Sequence, residues 1–401
     1  MTASRDPAVD ESFLDRVPLP VLVLRGQALE HNLAAMRDYS RRHDVELAPH
    51  VKTHLSPQLW RRQEAYGATA CTLATVAQVR AMVEHAGVRR VLLANEVVAP
   101  GDLAALCRLR REHPDLEVMV FVDSTAAVGA MDRGLARSGA DLGPLGVLVE
   151  VGPSGGRTGA RGVDEARAVA RAAAASERLQ VVGVSGYEGV LASQGAVADR
   201  PRVVDAYLGD GETALRALLD ADLVDRRPAI LTFGGSDLYP AVVARLADAF
   251  DPDDVRVVLR SGCYVLHDHG LYARAQAAMP DGAGLPVFEP VLEVWGPVLS
   301  VPEPGRAVVG VGKRDASYDV EPPVPLRRRR DGQETALAEL TVERLFDQHA
   351  ILVGAGTRAL AVGDLVAFGI SHPCATMDRW RSAWIVDAAG DPVEEIVTLF
   401  G

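Results

Sequence analysis

Residues 45–57 read VELAPHVKTHLSP. A β-branched apolar run ends in proline, and a lone lysine follows between two histidines. A strand that ends in such a lysine is the working end of a βα unit, and the unit recurs down the chain. The runs ATACT (68–72), RVLLAN (90–95), EVMVFVD (117–123), LGVLVEVG (145–152), LQVVGVSG (179–186), AILTFGG (229–235) and VRVVLRSG (255–262) follow, with Ala-, Arg- and Glu-rich helical stretches between them. Eight similar units with no break predict an α/β fold, a (β/α)8 TIM-like barrel rather than a doubly wound sheet.

From residue 286 the texture changes. Proline and glycine become frequent, and VFEPVLEVWGPVLS, RAVVGVG, LVAFGIS and RSAWIVD read as strands. The expected organisation is a barrel over 26–285 and a C-terminal β-rich, metal-binding domain over 286–401, to which residues 1–25 are joined. Upstream, VLVLR (21–25) reads as a strand and 27–42 as a helix. The stretch PPVPLRRRRDGQET (322–335) reads as a solvated, proline-led loop.

At 401 residues the chain is long enough for a large barrel and a smaller domain. A net charge of −12 argues against nucleic acid or an anionic membrane as partner, so an anionic ligand must be held by local donors. The four cysteines are scattered without a CxxC pair, which indicates neither a disulfide framework nor a structural zinc knot. With no apolar leader and no long apolar run, a cytoplasmic location is expected.

Barrels carry their chemistry at the C-terminal ends of strands. Those ends supply Lys52, Arg157, Tyr187, then Gly235 and Ser236, and finally Gly262, Cys263 and Tyr264. Two glycine-bearing turns, TFGGSD and RSGCY, end the last two strands, where bare backbone amides approach phosphate oxygens closely. A lysine with a phosphate cup suggests pyridoxal phosphate, held through the ε-amine and acting as an electron sink at Cα. If the strand persists through His50 and His54, both share a face with Lys52. Near the C-terminus, GISHPCATMDRW (369–380) spaces His372 and Cys374 two apart. On an extended segment both can point at one ion, and imidazole with thiolate suits zinc.

Taken together, PHVKTH, EVGPSGGRTG, GYEG, TFGGS, SGCYVLHD and SHPC resemble the D-serine dehydratase/D-threonine aldolase family, fold-type III pyridoxal phosphate enzymes related to alanine racemase at the barrel. The resemblance runs from about residue 18 to the end of the chain. It implies an alanine racemase-like barrel, a C-terminal β domain with which VLVLR packs, and an active site between the two completed in a head-to-tail homodimer. It implies Lys52 as the Schiff-base lysine, Arg157 and Tyr187 beside the cofactor ring, and Gly235, Ser236, Gly262, Cys263 and Tyr264 around the phosphate. His372 and Cys374 become ligands of Zn2+ or Mn2+, with His372 also catalytic. The family's outer basic residues are replaced by Ala48 and Leu55 here.

Dehydratase-like members carry cysteine at the second ligand and aldolase-like members aspartate, so the expected activity is dehydration of a D-serine-like 3-hydroxy amino acid to a 2-oxo acid and ammonia. Retro-aldol cleavage to glycine and an aldehyde is the alternative. A non-catalytic cofactor-binding protein is disfavoured by the second domain. An acidic substrate side chain would want an extra cation, for which Lys313 or Arg314 in VGVGKRDASYD could serve, although a surface role is the first expectation for both.

Overall fold

The computed structural model describes residues 12–139, 142–191, 199–235, 237–279 and 284–400. Its chain divides into two compact units, one of residues 36–262 with 284–286, the other of 1–35, 263–283 and 287–401. Residues 26–35 and 263–283 thus group with the β-rich unit, whereas the sequence drew its lines at 26 and 285.

Strand β1 (Val21–Arg25) belongs to the β-rich unit, and the other unit opens with β2 (Glu46–Leu47). There follow β3 (Cys71–Leu73), β4 (Arg90–Glu96), β5 (Glu117–Val122), β6 (Leu145–Glu150), β7 (Leu179–Ser185), β8 (Ala229–Phe233) and β9 (Val255–Leu259). These eight strands are parallel neighbours in the order β2-β9-β8-β7-β6-β5-β4-β3. The ring is closed by a parallel bridge between His50 and Thr72, with Thr72 N–H donating to Pro49 O at 2.9 Å. Strands buried on both faces need continuous apolar runs, and EVMVFV and LGVLVE supply them. Helices begin where a hydroxyl can cap them: Ser56 before Pro57–Ala65, Thr75 before Val76–Ala86 and Ser124 before Thr125–Ser138. Inside the ring, Ala48, Ala70, Leu92, Met119, Phe121, Leu148, Val182, Ile230 and Val258 form a packed plug.

In the β-rich unit, β10 (Leu292–Glu303), β11 (Arg306–Val309), β12 (Val324–Arg330), β13 (Gln333–Ala336), β14 (Thr341–Leu345), β15 (Ala350–Val353), β16 (Leu365–Gly369), β17 (Ser382–Val386) and β18 (Pro392–Val397) follow. The main path of its sheet runs β13-β12-β16-β10-β1-β17-β18. VLVLR lies antiparallel to β10 and parallel to β17, so the N-terminal strand is a central member of this sheet. Phe13, Leu14, Val21, Val23, Trp295, Leu365, Ala367 and Val386 make its core. Among the described residues no helix is long and apolar enough to cross a membrane.

The arginine-rich stretch is not a loop. Residues 324–330 and 333–336 form an antiparallel hairpin whose arginines pair with carboxylates. Arg327 grips the buried Glu293, at 2.9 Å to one oxygen, and stacks over the Trp295 ring. Arg329 holds Asp15 at 2.6 and 2.8 Å, and Arg330 bridges to Asp364. Their partners lie far off in sequence, which is why charge density alone read as solvation. Removing the guanidinium strands a buried carboxylate. Arg327→Met is therefore expected to cost about 3–5 kcal/mol in urea unfolding; a loss below about 1 kcal/mol would mean Glu293 finds another partner.

Candidate active site

The barrel rim carries five of the residues the sequence singled out, Lys52, Arg157, Tyr187, Gly235 and Gly262. Lys52 sits in the 3-10 turn Val51–Thr53 just beyond the bridge residue His50, and its side chain is exposed. It is one of only two lysines in the chain. Gly262 adjoins His50 so closely that a Cβ there would lie 2.4 Å from the His50 carbonyl oxygen, so no side chain fits. Ser261 Oγ donates to Gly235 O at 3.2 Å, which joins the two glycine turns. Gly235 in turn faces the Tyr187 ring, and the Arg157 guanidinium lies 5.4 Å from that ring's centroid. Tyr207 fixes this corner: its hydroxyl donates to Val151 O at 2.7 Å and accepts from Tyr187 N–H at 3.0 Å. Ser236 lies outside the described residues.

The three-residue face of His50, Lys52 and His54 is not formed. The chain leaves the strand at His50 and coils, with Leu55 at φ 40°, so His54 turns into the core. There it bonds Gln63 at 3.1 Å and accepts from Ser56 N–H at 3.0 Å. Burial lowers its pKa to about 4. The unfolded chain takes up this proton near pH 6.5, so the contribution is complete above that value and lost as pH falls from 6.5 towards 4. Stability should drop by about 1.4 kcal/mol per pH unit across that window, and His54→Gln should lack this part of the slope. Parallel pH profiles of the urea midpoint for the two proteins would refute it.

Sequence reasoning missed the layer beneath the rim. Period-two alternation places Glu150 and Arg260 on the same inward face as Leu148 and Val258. Arg260, 1% exposed, donates to Thr232 O at 3.1 Å and Gly186 O at 2.6 Å and lies over the Phe121 ring. Burial lowers its pKa from the ordinary value. Burial, then the Glu150 hydrogen bond and charge, raise the Glu96 carboxyl above the usual carboxylate range. Glu188, also fully buried, accepts from Gly234 N–H at 3.1 Å and from Gly235 N–H. An arginine two residues before the RSGCY glycine, in phase with buried Val258, was the available signal; Glu188 stood beside Tyr187 in GYEG.

These residues suit an aromatic aldehyde phosphate. Lys52 offers an exposed amine, while the Gly234 and Gly235 amides already donate to the Glu188 carboxylate and Gly262 packs against the His50 backbone. Among the described residues, His50 Nδ1, Glu150 Oε2, Ser185 Oγ and Arg260 Nε are buried polar atoms without a hydrogen-bond partner around the same strand ends. Burial, then the charges of Lys52, Arg260 and Arg157, lower the His50 pKa well below its ordinary value.

The second group of residues lies in the β-rich unit. His372, in extended conformation, caps the short helix Pro373–Met377, so Cys374 stands in a helical first turn and not on an extended segment. The His372 Nδ1 lies 2.6 Å from Asp319 Oδ2, the arrangement that fixes an imidazole and leaves Nε2 for a metal. Burial raises the Asp319 carboxyl, but the His372 hydrogen bond and charge outweigh it and hold it below the usual range. His372 and Cys374 are both half-buried side chains of a type that ligates zinc. Among the described residues no group of three or more His, Cys, Asp or Glu is arranged as a metal site. Cys263 and Tyr264, in the 3-10 turn Cys263–Val265, are buried in this unit. Lys313 lies 5.4 Å from the Tyr318 ring centroid and Arg314 is 3.9 Å from Asp347, both exposed.

Residues 24–218 match the family model described as "Alanine racemase, N-terminal domain", and residues 291–386 match "Putative serine dehydratase domain". The chain belongs to the D-serine dehydratase/D-threonine aldolase family of fold-type III pyridoxal phosphate enzymes. A 3-hydroxy-D-aspartate aldolase of Paracoccus denitrificans (strain Pd 1222) is 27% identical over 314 residues, 78% of this chain and 76% of that one. The crystal structure of D-threonine aldolase from Filomicrobium marinum is 28% identical, covers 95% of each chain and superposes with a TM-score of 0.80. A cysteine-to-alanine variant of a D-threo-3-hydroxyaspartate dehydratase, in its metal-free form, is 22% identical with a TM-score of 0.76 over 98% of this chain and 100% of that one. That last likeness speaks to the fold alone. Within this family the chain is a pyridoxal phosphate-dependent lyase.

Proposed function

We propose that this family member is a dehydratase of D-serine-like 3-hydroxy amino acids, releasing a 2-oxo acid and ammonia, with zinc at His372 and Cys374. The observation that carries the reading is that ligand pair with Asp319 behind it. A thiolate beside an imidazole favours zinc, whereas a carboxylate in the thiolate's place favours a harder ion. When bound, pyridoxal phosphate supplies the electron sink for negative charge at Cα, and zinc the Lewis acidity that makes the 3-hydroxyl a better leaving group.

The chain's own residues have separable tasks. Lys52 provides the amine that bonds the cofactor aldehyde, and Arg157 and Tyr187 hold one side of its ring. The backbone at Gly235 and Gly262, with Ser236, Cys263 and Tyr264, is assigned to the phosphate. His372 and Cys374 hold the metal, and Asp319 keeps the imidazole from rotating. A head-to-tail homodimer and a cytoplasmic location belong to the same proposal.

A retro-aldol lyase is the second reading, favoured by the 28% identity to a D-threonine aldolase across nearly the whole chain. D-Threonine decides between them, given with pyridoxal phosphate and zinc. Release of 2-oxobutyrate and ammonia supports the dehydratase; acetaldehyde and glycine would replace it with the aldolase.

A further inference from the structure

Cys263 and Cys374 are 111 residues apart, yet their sulfur atoms lie 3.5 Å from each other. Each is held by its local fold. The Cys263 carbonyl accepts from Leu266 N–H and, at 2.7 Å, from His267 N–H, which winds the turn that begins at this residue. The Cys374 carbonyl accepts from Asp378 N–H at 3.2 Å in the helix above buried Met377. Both belong to the β-rich unit, so their separation is set within one compact body. A disulfide needs the sulfurs to close by about 1.5 Å, within the reach of side-chain rotation and small backbone adjustment. The other two cysteines, Cys71 and Cys107, are buried in the barrel unit at 0% and 2% exposure and act as internal controls.

We propose that Cys263 and Cys374 form an oxidative modification site: a peroxide closes them into a reversible disulfide that takes Cys374 out of metal coordination. The bond itself rests on the 3.5 Å geometry; its effect on metal rests on the function proposed above. Half-buried Cys374 reacts first and buried Cys263 resolves. The Cys374 thiolate attacks one peroxide oxygen, an S–O bond forms, the O–O bond breaks, and the departing hydroxide takes a proton to become water. The Cys263 sulfur then attacks that sulfur, the S–S bond forms, the S–O bond breaks, and a second water leaves carrying the Cys263 proton. Two thiols lose two electrons and one peroxide becomes two waters. A thiolate committed to a metal is a poor nucleophile and a disulfide sulfur is a poor ligand, so metal and oxidation exclude one another.

The test is to treat the full-length, zinc-free protein with equimolar hydrogen peroxide and follow intact mass, mapped peptides and zinc uptake. The expected result is a loss of about 2 Da, a Cys263–Cys374 cross-linked peptide, and no zinc uptake until dithiothreitol restores the thiols. Zinc loaded beforehand should slow the mass change by about tenfold or more. Cys263→Ser should instead accumulate oxygen adducts at Cys374. No mass loss, or a disulfide involving Cys71 or Cys107, would overturn the proposal. A Cys263–Cys374 disulfide in a protein whose reduced form takes up no zinc upholds the modification site and overturns only the metal reading.

Discussion

Lys52→Ala is expected to remove the cofactor's bound absorbance band and to lower turnover by about 10⁴-fold or more. The side chain stands exposed at the barrel mouth, and the chain's other lysine, Lys313, lies in the other unit against the Tyr318 ring. No nearby amine can therefore substitute within the barrel. Lys52→Arg should fail equally, because a guanidinium keeps the charge but is a poor nucleophile toward an aldehyde. Folding should be unaffected, since the side chain is not part of the core. Absorbance and product formation are read on the same samples. A variant that retains both would show that the cofactor is held some other way.

His372→Ala carries the second large effect. It should reduce bound zinc from about one per chain to near zero and lower turnover by about 10²–10⁴-fold, while the cofactor absorbance stays. Asp319→Asn should be milder, weakening metal affinity by about 10–100-fold, because it disturbs only the residue that orients the imidazole. Metal content by atomic emission, set beside turnover, separates the two. Full activity in a metal-free His372→Ala protein would reject the metal-assisted reading, and equal damage from both variants would reject the positioning role of Asp319.

The barrel was legible because its physics is local. A strand buried on both faces must be apolar along its length, and runs such as EVMVFV and AILTF leave little else for the chain to do. The glycines of TFGG and RSGC were legible for the same reason. At Gly234 the chain needs φ 108°, and at Gly262 it lies against the His50 backbone. The strand does not persist through His54, because a turn after His50 depends on Leu55 at positive φ and on Gln63 waiting in the core, and His54 becomes a satisfied structural group instead. The arginines of β12 were misread as solvated because Asp15, Glu293 and Asp364 are remote in sequence.

By itself, the sequence determined the eight βα units, the change to β structure near residue 286, and the residues of chemical interest at strand ends. Each follows from side-chain periodicity and from what glycine, lysine and histidine can do. Only the tertiary structure decided which polar groups meet. It placed Arg260 and Glu188 beneath the rim, set Asp319 behind His372, and brought Cys263 to within 3.5 Å of Cys374. Those pairings join residues up to 111 positions apart, at distances that only strand order, register and the packing of each unit can fix.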